Sequence, residues 1–217
     1  MNVPRPALPG AYRGVVFDMD GLLLDTERLW HVAERRLLDD HGSTHVEEDR
    51  LAFVGRPVEV AIDHYLELLG RPPSDAPELR AELMERVRDE YAHGAVPLPG
   101  AVELVRGLQG RVPLAIASNT DRELVLTALR ETGIDDAFDA IVTADQVAAG
   151  KPAPDVYLRA CELLGVAPQH AIALEDSAAG VLAAKAAGLA VIAVPQFAEV
   201  DVSAADHVLE TLEGLLA

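Results

Sequence analysis

Apolar and polar positions along the chain fall into two alternating patterns. Short apolar runs predict strands that are buried on both faces. The runs are RGVVFD, VPLAIAS, DAIVTA, HAIALED and LAVIAV, with a weaker sixth candidate near DHVL. Four of the five strong runs are followed by segments with apolar residues at helical spacing. Strands that alternate with helices predict an α/β fold, with a doubly wound and mostly parallel sheet covered on both faces.

The connection after the first strand interrupts this alternation. About 90 residues separate the strand that ends near Asp18 from the one that begins near Val112, far more than a crossover requires. Apolar residues at helical spacing predict three helices in between. They are marked by Leu29, Ala33 and Leu37 before Gly42, by Ile62, Tyr65, Leu66 and Leu69 before Gly70, and by Leu79, Leu83, Val87 and Tyr91 between Pro77 and Gly94. We therefore expect a small α-helical domain over residues 22–95, inserted into an α/β core of residues 1–21 and 96–217.

Charge and composition narrow the possible partners. The formal net charge of −18 over 217 residues argues against nucleic-acid binding, and an anionic substrate would need a local cation. No apolar run reaches the roughly 18 residues of a membrane helix, and the proline-rich amino terminus does not match a signal peptide. Cys161 is the only cysteine, and its helical spacing predicts a packing role. These features predict a cytoplasmic protein that binds neither nucleic acid nor membrane. The sequence does not reveal the oligomeric state, for which a monomer is the default expectation.

The first strand ends in two acidic residues. Asp18 and Asp20 leave an extended chain on the same side, while Met19 points away. Gly21 then allows the chain to turn sharply. The same four residues are also compatible with an ordinary turn, so the pattern Asp-x-Asp-Gly does not by itself establish a site.

Polar groups also follow the next three strands. They are Ser118 and Asn119 after the second strand, Lys151 after the third, and Glu175 and Asp176 after the fourth. Ordinary alternatives exist: Thr120–Glu123 has the spacing of a capping box, a lone lysine is usually on the surface, and Asp176 or Ser177 could cap a helix. Ligands of open α/β sheets bind beyond the carboxyl ends of the strands. We therefore expect all of these groups at one edge of the sheet.

This ordered set of residues resembles the haloacid dehalogenase superfamily of aspartate-dependent phosphotransferases. Asp18-Met19-Asp20-Gly21 matches its first motif, Ser118 its second, Lys151 its third, and Glu175-Asp176 its fourth. The resemblance covers essentially the whole chain and implies a Rossmann-like core. The helical insertion is similar to the cap of the subgroup that contains beta-phosphoglucomutase and many sugar-phosphate phosphatases.

The resemblance implies a role for each of these residues. Asp18 is expected to attack phosphorus and form an aspartyl-phosphate, and Asp20 to act as general acid and then as general base. Phosphate would be bound by Ser118, Asn119 and Lys151. Mg²⁺ would offset the repulsion between Asp18 and a phosphate dianion, roughly 4 kcal/mol per unit-charge pair at 4 Å and intermediate dielectric. Its expected ligands are the side chains of Asp18 and Asp176 and the carbonyl of Asp20, with Glu175 holding a metal-bound water.

Beta-phosphoglucomutase activity is the main alternative. That enzyme carries a histidine in the first cap helix, where this chain aligns Trp30 with His31 adjacent, and a phosphate-binding arginine where it aligns Val58. Arg56 could still contact substrate, although a surface arginine is the ordinary interpretation. Both departures favour a phosphatase.

Three other functions are less consistent with the sequence. Dehalogenases of the superfamily lack an aspartate at the position of Asp20 and need no metal. Signalling receivers place the phosphate-accepting aspartate on a later strand and have no large cap. A non-catalytic binding module would not need every chemical position to be filled. We therefore predict a Mg²⁺-dependent phosphatase of small phosphorylated metabolites: sugar, polyol or nucleoside monophosphates.

Overall fold

A six-stranded parallel sheet forms the centre of the molecule. The computed structural model describes residues 11–43, 53 and 57–216. The strands of the sheet are β1 (Gly14–Phe17), β4 (Leu114–Ser118), β5 (Ala140–Thr143), β6 (Ala171–Glu175), β7 (Ala190–Ala193) and β8 (His207–Val208), in the spatial order β5-β4-β1-β6-β7-β8. All six predicted strands are therefore present, and the predicted α/β fold with a mostly parallel sheet is confirmed.

Helices cover the sheet, and two very short strands form a separate ribbon. The helices are α1 (Glu27–Asp40), α2 (Val58–Leu69), α3 (Ala76–Tyr91), α4 (Ala101–Leu108), α5 (Arg122–Glu131), α6 (Asp155–Leu164) and α7 (Ala178–Ala187). The ribbon pairs β2 (Leu24–Asp25) with β3 (Val96–Pro97) in antiparallel fashion. The helices α1, α2 and α3 are those predicted for the insertion, and they end at or shortly before the predicted glycines.

The inserted helices share their apolar core with one face of the sheet. Side chains of β1 such as Val15 and Phe17 belong to the same buried cluster as Leu37 of α1, Tyr65 of α2 and Leu83 of α3. The ribbon β2–β3 lies where the chain leaves the sheet and where it returns. A second buried cluster on the other face contains Cys161, as its predicted packing role requires, and burial raises the pKa of this thiol to about 11.

The register of the central strands determines where their carboxyl ends meet. Phe17 of β1 lies opposite Ile116 of β4 and Leu174 of β6, so the residues that follow these three strands come together. The amide of Asp18 continues this pairing by donating to the carbonyl of Leu174 over 3.0 Å. Within the described part of the chain, no helix combines the length and the apolar character needed to cross a membrane.

Candidate active site

The seven predicted site residues lie together at the carboxyl edge of the sheet. A cavity there is lined by Asp18, Asp20, Ser118, Asn119 and Lys151. Glu175 and Asp176 lie next to Asp18. One carboxylate oxygen from each of these three residues lies within 4.8 Å of the other two. Met19 is fully buried in the apolar core, as alternation along an extended chain predicts.

A buried lysine joins two of the carboxylates. The Nζ atom of Lys151 lies 2.5 Å from Oδ1 of Asp18 and 2.5 Å from Oε1 of Glu175. All three side chains are almost completely buried. Lys151 is therefore not the solvated surface lysine of the ordinary interpretation, since its ammonium is fixed between two acidic groups.

Glu175 also accepts hydrogen bonds from α6 and from the two residues that follow β6. Its Oε1 accepts a further hydrogen bond from the hydroxyl of Tyr157. Its Oε2 accepts hydrogen bonds from the backbone amides of Asp176 and Ser177 and from the hydroxyl of Ser177. Both oxygens are occupied by protein donors, so Glu175 orients the surrounding groups.

Two glycines make this arrangement sterically possible. A Cβ atom on Gly21 would lie 2.1 Å from Oδ2 of Asp176, and the φ angle of Gly21 is +79°. A Cβ atom on Gly180, in the first turn of α7, would lie 1.9 Å from Oε1 of Glu175. The backbone therefore approaches these carboxylates more closely than any side chain at either position would allow.

Burial and mutual repulsion dominate the electrostatics of the acidic cluster. Burial raises the pKa of Asp18 well above its usual value, an effect that Lys151 reduces and Glu175 increases. Burial also raises the pKa of Asp176, as does the charge of Asp18. Although burial opposes the charged ammonium, the carboxylates of Asp18 and Glu175 raise the pKa of Lys151 above its usual value. One buried lysine faces three buried carboxylates, so this cluster favours an additional cation.

Asp20 has a different environment, made of neutral hydroxyl groups. Its Oδ1 accepts hydrogen bonds from Thr26 over 2.7 Å and from Tyr91 over 2.8 Å. Its Oδ2 accepts one from Ser118 over 3.1 Å. Asp20 is half-buried and faces the cavity, whereas Asp18 is 5% exposed.

The side chain of Asn119 forms hydrogen bonds with the loop that carries Lys151. Its Oδ1 accepts from the backbone amide of Lys151 over 2.8 Å, and its Nδ2 donates to the carbonyl of the same residue over 3.2 Å. The side-chain amide is thus paired with the Lys151 peptide as well as bordering the cavity.

The two predicted helix caps had different outcomes. The capping box at Thr120–Glu123 is wrong, because α5 begins at Arg122 with Asp121 as its N-cap and without a side-chain capping hydrogen bond. The backbone amide of Thr120 instead donates to Ser118 Oγ over 2.9 Å. Of the two candidate caps for α7, Ser177 is the one used, and its hydroxyl accepts from the amide of Gly180 over 3.0 Å.

The inserted segment supplies a largely apolar roof for the cavity. The roof residues are Trp30, Phe53, Val58, Ala61 and Met84, with the carboxylates of Glu27 and Glu34 beside them. Trp30 and Val58 occupy the positions aligned with the mutase histidine and arginine, and both border the cavity. Arg56, a possible substrate contact, lies outside the described residues.

Sequence patterns did not identify three side chains that contact these carboxylates. Thr26 and Tyr91 belong to the inserted segment, and Tyr157 lies on α6. Tyr91 and Tyr157 both lie at helical spacing with apolar residues, which predicts core packing. The one available signal was that a buried tyrosine hydroxyl usually forms a hydrogen bond, so each of these rings could be expected to meet a polar group.

Comparisons with known proteins agree with this geometry. The family model described as haloacid dehalogenase-like hydrolase matches residues 15–194. The validoxylamine A 7'-phosphate phosphatase of Streptomyces hygroscopicus subsp. limoneus is 37% identical, with 82% of this chain and 83% of that protein covered. A fructose-1-phosphate phosphatase of Escherichia coli K12 is 34% identical, over 82% of this chain and 94% of its own length. The structure of CbbY from Rhodobacter sphaeroides in complex with phosphate superposes with a TM-score of 0.83 at 29% identity, covering 93% of this chain and 95% of that one.

Proposed function

This chain belongs to the family of haloacid dehalogenase-like hydrolases, and from that premise we propose a phosphatase that acts on small phosphorylated metabolites through an aspartyl-phosphate. It is a phosphoric monoester hydrolase, as its sugar-phosphate phosphatase relatives indicate. The substrates we propose are sugar, polyol or nucleoside monophosphates. One observation carries the mechanism: Asp18, paired with Lys151, and Asp20, held by hydroxyls, face one cavity.

In the proposed reaction, Asp18 is the nucleophile and Asp20 transfers protons. A carboxylate oxygen of Asp18 forms a bond to phosphorus while the bond from phosphorus to the leaving oxygen breaks. Asp20 gives its proton to that oxygen, so the alcohol leaves neutral. Asp20 then takes a proton from water as the water oxygen attacks phosphorus. The bond between phosphorus and Asp18 breaks, and inorganic phosphate is released.

Lys151 and Ser118 are the groups we propose to bind the transferring phosphate. Lys151 is the only cation among the described residues that line the cavity, so it is the local positive charge that an anionic substrate needs in a protein of net charge −18. Preorganised donors of this kind act most strongly where charge is spread in the transition state. We propose that Asn119 contributes by fixing the Lys151 loop as well as by bordering the phosphate.

The acidic cluster fits a hard divalent cation such as Mg²⁺. Its donors are all oxygens, and three buried carboxylates exceed the single buried lysine in charge. We propose that Asp18, Asp176 and the carbonyl of Asp20 would hold the ion, which would neutralise charge between nucleophile and phosphate. Glu175 would stay outside this set, because its oxygens already accept hydrogen bonds from Lys151, Tyr157 and Ser177.

A metal-exchange experiment tests this part of the proposal. Excess chelator should abolish phosphate release, and Mg²⁺ should restore it. Ca²⁺ should restore it poorly, because its larger and looser coordination shell would displace Asp18 relative to phosphorus. Full activity in excess chelator would contradict the metal-dependent mechanism.

The mutase alternative is tested by following both products. Trp30 offers only a donor N–H where the mutase has a histidine, and Val58 offers no charge where the mutase has an arginine. Phosphate monoesters should therefore release stoichiometric inorganic phosphate without a bisphosphate activator. With beta-glucose 1-phosphate and glucose 1,6-bisphosphate, the yield of glucose 6-phosphate should be small compared with free phosphate. Rapid isomerisation with negligible phosphate release would favour the mutase.

Three further expectations belong to this proposal. We propose that residues 22–95 act as a substrate-selecting cap on a core of residues 1–21 and 96–217, because the cavity roof comes from this segment. Replacing Met84 in the roof should change the order of preferred substrates while leaving the metal requirement intact.

A cytoplasmic location and a monomeric state stay predictions. Light scattering would measure the oligomeric state.

A further inference from the structure

A tyrosine of the inserted helices reaches the acid/base carboxylate. Tyr91 lies in the last turn of α3, is 1% exposed, and comes 71 residues after Asp20 in the chain. Its hydroxyl donates to Oδ1 of Asp20 over 2.8 Å. The rest of the ring lies in the apolar core. Packing alone would be satisfied by phenylalanine, so the hydroxyl needs its own explanation.

The direction of this hydrogen bond is fixed by a tryptophan. Nε1 of Trp30, on α1, lies 3.3 Å from the hydroxyl oxygen of Tyr91. An indole N–H can only donate, so Tyr91 accepts from Trp30 and directs its single proton to Asp20. A phenol ordinarily keeps its proton at neutral pH, so this proton is present to be donated.

The two oxygens of Asp20 are not equivalent. Oδ1 already accepts from both Thr26 and Tyr91. Oδ2 accepts a single hydrogen bond, from the hydroxyl of Ser118, which borders the cavity from the core side. A proton on Oδ1 would compete with two donors. A proton on Oδ2 would meet only the Ser118 hydroxyl, which can rotate to accept it, and would leave both hydrogen bonds to Oδ1 intact.

We propose that Tyr91 is a positioning residue, whose hydroxyl holds Oδ1 of Asp20 so that Oδ2 gives the proton to the leaving alcohol and takes one from water. This inference rests on the proposed function. Trp30 assists by orienting the Tyr91 hydroxyl. The tyrosine contacts neither the nucleophile nor the phosphate-binding groups in the described contacts, so its effect passes entirely through Asp20.

Kinetics of paired variants test the role in catalysis. Tyr91→Phe keeps the ring and removes the hydroxyl, and it should lower kcat about tenfold with KM changed less than about twofold. In an Asp20→Asn background the same change should have no further effect, because the group that it positions no longer transfers protons. Tyr65→Phe is the matched control, a buried tyrosine of α2 whose ring packs against Phe53, and it should leave kcat unchanged in both backgrounds. An unchanged kcat in Tyr91→Phe, or an equal loss in both backgrounds, would overturn the proposal.

A spectroscopic readout tests the contact without turnover. Trp30 is the only tryptophan, so its indole ¹H–¹⁵N signal is a single resonance. That signal should move in Tyr91→Phe and in Asp20→Asn, and stay in place in Tyr65→Phe. A signal that moves in neither of the first two variants would refute the Trp30–Tyr91–Asp20 arrangement. A wild-type protein that releases no phosphate from any substrate would refute the proposed function, and the indole signal would then still decide whether Tyr91 holds Asp20.

Discussion

Asp18 and Asp20 are separated by one residue, yet they lie in two differently built halves of the site. The core half, around Asp18, comprises Lys151, Tyr157, Glu175 and Asp176, and it is buried and ionic. The other half, around Asp20, comprises Thr26, Trp30, Tyr91 and Ser118, and it is made of neutral hydrogen-bond donors. Because alternate side chains of an extended chain point to the same side, both carboxylates face one cavity, although their hydrogen-bond partners differ.

The difference matches the two chemical roles that we propose. A nucleophile must be charged when it attacks, and although burial opposes the charge on Asp18, the fixed ammonium of Lys151 favours it. A group that gives and then takes a proton must be held in both protonation states, and hydroxyl donors can do this because they carry no charge. A lysine beside Asp20 would favour only the charged form. The halves also differ in origin, since Thr26, Trp30 and Tyr91 all come from the segment inserted after β1.

The largest expected effect is loss of the proposed nucleophile. Asp18→Asn should lower phosphate release by roughly 10⁴-fold or more, since the amide cannot form the aspartyl-phosphate. Substrate binding and the thermal unfolding temperature should change little. The exposed Asp145→Asn is the matched control and should retain full activity. Near-normal turnover in Asp18→Asn would show that Asp18 is not the nucleophile, and the proposed difference in role between the two halves would then be wrong.

Loss of the proposed acid/base group should have a smaller and more selective effect on activity. Asp20→Asn should slow turnover of alkyl phosphates by about 10²–10⁴-fold. With p-nitrophenyl phosphate, whose leaving group needs no proton, the first step should survive and the second should not. Stopped-flow measurements should then show a burst of about one p-nitrophenolate per enzyme. If neither step were affected, Asp20 would serve only as a scaffold for the metal site.

The ionic character of the core half predicts a large effect on stability. Lys151→Met leaves the carboxylates of Asp18 and Glu175 buried without their shared cation, which should cost about 3–5 kcal/mol in the free energy of unfolding. Urea denaturation of the metal-free protein measures this loss. Lys185→Met is the control, because Lys185 pairs with Asp206 at the surface, and should cost at most about 1 kcal/mol. Equal losses in the two variants would contradict the structural importance of the buried cluster.

The smallest effect is expected at a surface ion pair between the inserted helices and the core. Arg80 of α3 lies 3.3 Å from Asp121, the residue before α5, and both side chains are about one-third exposed. Arg80→Gln should change the free energy of unfolding by less than about 1 kcal/mol, and the difference should fall further at high salt. A loss comparable to that of Lys151→Met would show that an exposed ion pair stabilises the protein as strongly as the buried one.

The sequence alone determined the sheet, the inserted helices and the set of polar residues at the strand ends. These are consequences of local rules: apolar runs specify buried strands, apolar spacing specifies helices, and residues that follow parallel strands share one edge. The capping box at Thr120 was wrong, because the backbone amide of Thr120 donates to the hydroxyl of Ser118 while the helix starts at Arg122. Local spacing does not reveal this competition.

Only the tertiary structure decided which side chains surround each carboxylate. Tyr91 reaches Asp20 because α3 packs against α1, and Tyr157 reaches Glu175 because α6 packs beside the sheet. Periodicity assigns both tyrosines to a buried face, but it does not say what their hydroxyls will meet there. That depends on how separate elements are placed relative to one another, which is set by the packing of the whole core. The different environments of Asp18 and Asp20 are therefore a property of the assembled fold.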